Sequence, residues 1–208
     1  MSSTDVPEYP FHDTEPTWGS QYLWPAVKRI VAARNFAHRR AFELGSGNGA
    51  AANMLHDLGF DVTAVDPSES GIGLASKAFP QCKFALASGY DDLAGRFGRF
   101  DLVLSLEVLQ HCANSRKILQ RLFDLVEPGG ILIISVTYHG YLKNLMLALS
   151  GRFDRHLGTL WDNGPLRFFS VKTLTALMEE TGFVSIECRT VGRVPYLGKS
   201  IVATASKR

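Results

Sequence analysis

One ten-residue stretch, Ala41-Phe42-Glu43-Leu44-Gly45-Ser46-Gly47-Asn48-Gly49-Ala50, constrains the fold of this chain more than any other. Apolar residues lead into glycines at alternate positions, and residues 50–58 then read as a helix. Glycines so spaced allow positive φ and let backbone N–H groups approach a bound group closely. The helix N-terminus behind them adds a partial positive charge. A second strand at residues 61–65 ends in Asp66. An acid there, about 20 residues past the first glycine, is placed to bind a ribose hydroxyl pair. The stretch predicts a strand, turn, helix and strand that together bind a nucleoside.

Gly45, Gly47 and Ala50 formally satisfy the dinucleotide pattern, so an NAD-binding oxidoreductase is one reading. Glu43 argues against it. Its carboxylate, two residues before the first glycine, would repel a pyrophosphate. It suits a ligand that lacks phosphate and carries cationic groups, as S-adenosylmethionine (SAM) does with its sulfonium and α-ammonium. At this point the chain resembles the SAM-dependent methyltransferase family with a Rossmann-like fold. The resemblance rests on Glu43-Leu44-Gly45-Ser46-Gly47-Asn48-Gly49, on Val65-Asp66-Pro67-Ser68, on the run from Phe100 through Glu107 to His111, and on Val126-Glu127-Pro128-Gly129-Gly130. These come in the family's order and spacing over about residues 40 to 137.

The resemblance implies SAM as cofactor, with S-adenosylhomocysteine (SAH) as product. It implies cofactor contacts at Glu43, Gly45, Ser46, Gly47, Asn48 and Gly49, then at Asp66, Pro67 and Ser68. After the third strand it implies Gly89, Tyr90 and Asp91 beside the adenine; the other reading of Asp91 is a plain helix N-cap. It also implies contacts at Leu106, which ends the fourth strand, and at Glu107 and His111, which follow it, with His111 near the methionine end of SAM. An N-terminal helix often closes over the cofactor in this family, which makes Tyr22 and Trp18 contacts, while Trp24 reads as core.

The rest of the chain fits one α/β domain over its 208 residues, with a sizeable core. Residues 1–16 are polar, carry Pro7, Pro10 and Pro16, and read as irregular. Helical spacing covers 17–33, 68–79, 114–126 and 170–181, with Ser68 and Ser170 as N-caps and Pro128-Gly129-Gly130 as a stop. Strands fall at 83–87, 101–106, 131–136, 183–190 and 200–205. The alternation predicts a doubly wound, mostly parallel sheet. The linker 191–199 is too short for a crossover helix, so the last two strands form an antiparallel hairpin. In the resembled family that hairpin completes seven strands.

Net charge is only +2, which gives no electrostatic argument for nucleic acid. Cys82, Cys112 and Cys188 show no Cys-x-x-Cys spacing, so they read as reduced thiols of a cytoplasmic protein rather than a disulfide or metal framework. No apolar run reaches the ~18 residues of a membrane span.

Residues 138–169 interrupt the alternation and read as a substrate-side insertion or lid. Tyr141, Leu142, Leu145, Met146 and Leu149 share helical spacing, which fits a lid over an apolar acceptor, with contact to a membrane surface, or a core helix. His139 lies just past the fifth strand, where an acceptor should sit, and is a candidate general base. His111 is the second candidate, with packing under the crevice as its structural alternative. The insertion, with Trp161-Asp162-Asn163-Gly164 and Arg167-Phe168-Phe169-Ser170, resembles the branch of ubiquinone-pathway O-methyltransferases. Pro165 and Leu166 follow Gly164 where that branch has a histidine soon after. The expected activity is methyl transfer to a small organic acceptor at oxygen; a SAM-binding partner or sensor without catalysis is the alternative from another class.

Overall fold

The structure, a computed structural model, describes residues 11–153, 156, 164–193 and 197–208. Seven strands form one sheet in the order β3-β2-β1-β4-β5-β7-β6. They are β1 (Arg40–Leu44), β2 (Asp61–Asp66), β3 (Lys83–Leu86), β4 (Phe100–Leu106), β5 (Val126–Thr137), β6 (Val184–Val191) and β7 (Ser200–Ser206). The first five pair in parallel, and β7 runs antiparallel to both β5 and β6. The expected doubly wound sheet with a final hairpin is what the chain adopts.

Strand alternation builds two cores. Phe42 and Leu44 face one side of β1 while Ala41 faces the other; on β4, Val103 faces the first side and Leu102 and Leu104 the second. Helices α1 (Ser20–Ala32) and α2 (Ala50–Asp57) cover one face with Leu23, Val27, Met54 and Leu55. Helices α5 (Ser115–Leu125) and α7 (Val171–Thr181) cover the other with Ile118, Leu119, Leu174 and Met178. The described residues also form helices α3 (Glu69–Ala78), α4 (Leu93–Phe97) and α6 (Tyr141–Leu149). β4 is buried along nearly its whole length, as a central parallel strand should be.

Ser68 and Ser170 cap their helices as expected, accepting from Gly71 N and Thr173 N. Two local expectations are corrected. The fifth strand begins earlier than residue 131, and Pro128-Gly129-Gly130 belongs to it. The helix ends at Leu125, and the three residues lie within β5, where the pairing with β4 shifts register between Phe100 and Leu102. A Cβ on Gly130 would stand 3.0 Å from the carbonyl oxygens of Phe100 and Asp101, so a side chain there would be tightly crowded. Asp91 is not a helix cap. Asp92 caps α4 by accepting from Gly95 N, while Asp91 turns back to accept from Ser88 N at 2.8 Å.

Sheet order reverses between β1 and β4, and the crevice at that switch point is where a parallel sheet binds its ligand. Among the described residues no helix is long and apolar enough to cross a membrane.

Candidate active site

The turn after β1 is built by its glycines. Gly45, Gly47 and Gly49 have φ of +80°, +50° and +81°. A Cβ at Gly45 would come within 2.2 Å of Val108, so the turn tolerates no side chain there. Gly45 N and Ser46 N both donate to Val65 O, which ties the turn to the end of β2. Asp66 completes the tie. Its Oδ2 accepts from Gly47 N and its Oδ1 from Ser68 N, both at 2.8 Å. Burial raises the Asp66 carboxyl above its ordinary value, and these two N–H groups pull it back.

A cavity of about 630 Å³ opens beside this turn. Its wall contains Tyr22, Glu43, Gly45, Ser46, Gly47, Asn48, Asp66, Pro67, Ser68, Gly89, Tyr90, Leu106, Glu107 and His111. The structure thus brings nearly all the expected cofactor residues to one surface. Gly49, Asp91 and His139 are not part of that wall. Gly49 is the left-handed N-cap of α2, and a Cβ there would meet Ala75 at 2.6 Å. Of the N-terminal aromatics, Trp24 lines the cavity, whereas Trp18 is 63% exposed under the Lys199 ammonium, 3.4 Å above its ring. Trp24 also packs against the core, as expected, and Trp18 is not in the cavity wall.

Glu43 is the unusual member. Its side chain is buried, and its Oε2 has no hydrogen-bond partner. Burial first, and the Asp66 charge second, push its carboxyl up to about 8. An orphaned buried carboxyl in a cavity wall calls for a donor or cation from a ligand. SAM fits this: it brings cationic groups for Glu43, a ribose for Asp66, and no phosphate. Gly89 lines the same cavity, and a Cβ there would stand 2.8 Å from Ile118 and 3.3 Å from Leu44.

Glu107 is held at φ +58° immediately after β4. Its carboxylate accepts from Ser135 Oγ at 2.8 Å, Thr137 Oγ1 at 3.1 Å and Gln110 Nε2 at 3.1 Å, so it stands as a fixed negative charge in the wall. His111 ends the short helical turn Leu109–His111, with its Nδ1 3.3 Å from Gly164 O. Cys112 also lines the cavity, but burial pushes its thiol up to about 11, which keeps it protonated and unreactive. His139 sits elsewhere. It is buried, edge-on to Phe168 at 4.6 Å and 5.6 Å from the His156 ring. Burial, then the Lys143 charge, push it down to about 4.

The insertion leaves and rejoins the domain at one point. Tyr138 bridges Phe169, and His139 N donates to Phe169 O at 2.8 Å. The returning limb is tied to the His111 loop: Leu166 N and Arg167 N both donate to Gln110 O. α6 buries no residue at all. Tyr141 is 84% and Leu149 80% exposed, with Leu142, Leu145 and Met146 also exposed. Residues 161–163, part of the pattern read as a branch resemblance, lie outside the described residues.

Sequence reasoning missed Phe11, Trp24, Ile118 and Leu166, all in the cavity wall. No local pattern marks them as wall residues.

A Rossmann-like sheet whose switch-point cavity is walled by a glycine turn and by the carboxyl groups of Glu43, Asp66 and Glu107 has the build of a SAM-dependent methyltransferase domain. The family described as a methyltransferase domain matches residues 19–187, and the chain belongs to it. A ubiquinone biosynthesis O-methyltransferase of Caulobacter sp. (strain K31) is 37% identical over 122 residues, which cover 56% of this chain and 47% of that protein. Its counterpart in Azorhizobium caulinodans is 31% identical over 136 residues, covering 59% and 53%. The chain spans about half the length of these curated relatives. Among solved structures, magnesium protoporphyrin IX methyltransferase from Synechocystis PCC 6803 with bound SAH is similar at a TM-score of 0.67 and 21% identity, over 89% of this chain and 82% of that one. Phosphoethanolamine N-methyltransferase 2 of Haemonchus contortus, in complex with SAM, gives 0.64 and 16%, over 88% and 52%. At such identities the likeness is one of fold.

Proposed function

We propose that this chain methylates a small organic acceptor at oxygen, and that the acceptor is an apolar molecule bearing a phenol or alcohol. The observation that carries the reading is Leu166. It lines the cavity and yet is 61% exposed, so an apolar side chain carries the wall out to the surface. The curated relatives named as O-methyltransferases of ubiquinone biosynthesis support the attacked atom. The exposed apolar side chains of α6 suit a lid over such an acceptor, and contact with a membrane surface when the acceptor is lipid-borne.

SAM bound in the cavity supplies an electrophilic methyl on a sulfonium. The protein's part is alignment, exclusion of water and proton removal. The glycine turn and Asp66 hold the ribose, Tyr90 and Ile118 wall the adenine, and Glu43 faces the cationic end. Glu107, fixed by three hydrogen bonds, keeps the pocket negative on the β4 side. His111 is the histidine in the cavity wall, and it accepts the proton from the acceptor hydroxyl.

Labelled-methyl transfer to a series of phenols with lengthening alkyl chains tests the reading. Transfer to oxygen, with KM falling as the chain grows, is expected. Transfer confined to amines or carboxylates, or to no acceptor at all, would overturn it.

A further inference from the structure

We propose that residues 11–17 form a strap over the nucleoside end of the cavity, and that Asn48 is its latch, a positioning residue that sets how long the cofactor stays bound. The family resemblance places Asn48 among cofactor contacts, but its side chain is engaged elsewhere. An amide nitrogen has two donors. In Asn48 the Nδ2 group donates to Asp13 O at 3.0 Å and to Glu15 O at 2.9 Å. Its Oδ1 accepts from Ala50 N at 3.3 Å. The side chain is buried, so these bonds are shielded from competing water.

The strap delivers Phe11 to the cavity wall. A Cβ on Gly47 would stand 2.6 Å from the Phe11 ring, and one on Gly71 would stand 2.9 Å from it. The ring therefore rests on both the glycine turn and the first turn of α3, the two elements that Asp66 joins. Phe11 N adds a bond to Ser70 Oγ at 3.4 Å. Residues 11–17 carry no regular secondary structure, and most of them are exposed. Opening the strap breaks few bonds, whereas a nucleoside beneath Phe11 leaves only when it opens. The latch thus acts on the dissociation rate more than on association.

Stopped-flow displacement of SAH from the full chain tests this without any acceptor. Asn48→Asp keeps an oxygen for Ala50 N–H but offers no donor to the two carbonyls. Phe11→Ala removes the cover without touching the turn. Both variants are expected to raise the SAH dissociation rate about tenfold, the loss of one to two net hydrogen bonds or an equivalent contact, with association changed far less. Hydrogen exchange at residues 12–17 is expected to slow on SAH binding in the wild type and not in Asn48→Asp. Unchanged dissociation in both variants would overturn the proposal. So would faster dissociation in Asn48→Asp alone, accompanied by a lower melting temperature of the ligand-free protein, since that is damage to the turn. If Asn48→Asp does not fold, Phe11→Ala decides the matter.

Discussion

Glu43 and Asp66 stand in the same cavity wall with opposite hydrogen bonding: Asp66 accepts two backbone N–H groups, while Glu43 Oε2 accepts none. Asp66 is therefore part of the scaffold, whereas Glu43 keeps one carboxyl oxygen without a protein partner. The pair also couples, because the Asp66 charge helps to raise the Glu43 carboxyl.

Glu43 makes stability and binding depend on pH. Its folded value, about 8, lies above its ordinary 4.5. The folded state thus binds the extra proton, and this contribution to stability is full below pH 4.5 and lost as pH rises through 8. Glu43→Gln should flatten that decline in chemical denaturation between these limits. A cationic ligand lowers the carboxyl, so SAM binding at pH 7 should release a proton. Calorimetry in two buffers of different ionisation enthalpy measures it. Identical heats in both buffers would place the cationic group away from Glu43.

Asp66→Ala removes the ribose partner and unties Gly47 N and Ser68 N together. SAH affinity should fall by about 1–3 kcal/mol, and the melting temperature should fall with it. Lower affinity at an unchanged melting temperature would mean that the turn holds itself. Unchanged affinity would remove Asp66 from the site.

Leu145 is 40% exposed on a helix with no fully buried residue. Leu145→Glu should change stability by no more than about 0.5 kcal/mol, as surface substitutions do. On the lid reading it should also raise the acceptor KM while leaving SAH affinity as it was. Loss of several kcal/mol of stability would show α6 packed into the core.

The two histidines separate by position. His111→Ala should lower turnover roughly 10²–10⁴-fold with SAH affinity nearly unchanged. His139 is pushed down to about 4 from 6.5, so it stays neutral in the fold while the unfolded chain protonates. Its contribution to stability is present above pH 6.5 and lost as pH falls through 4. His139→Gln should remove that acid loss and spare turnover. A turnover loss in His139→Gln equal to that of His111→Ala would move the proton acceptor to His139.

The cofactor half of the site was legible because its chemistry is local. Alternate glycines, the acid ending β2 and the cap at Ser68 each follow from backbone geometry within a few residues. Asn48 was legible as a position but not as a role, since its partners Asp13 and Glu15 lie in a segment with no periodicity. Trp18 and Trp24 fall in one stretch of helical spacing, but Trp18 lies in the turn before α1 and Trp24 within the helix, which the spacing alone does not separate. Pro128-Gly129-Gly130 reads as a stop in isolation; its place in β5 depends on the register with Phe100. The apolar spacing of α6 was plain, but spacing alone does not say whether water or protein lies against it. Asp91 and Asp92 are adjacent acids, and the backbone chose the second as cap.

The central claim is that the cavity beside the Gly45–Gly49 turn takes SAM and no pyrophosphate. Isothermal titration of the full chain with SAM, SAH and NAD tests it most directly. The account predicts saturable binding of SAM and SAH, weakened in Asp66→Ala, and no heat from NAD. Binding of NAD with none of SAM would contradict it.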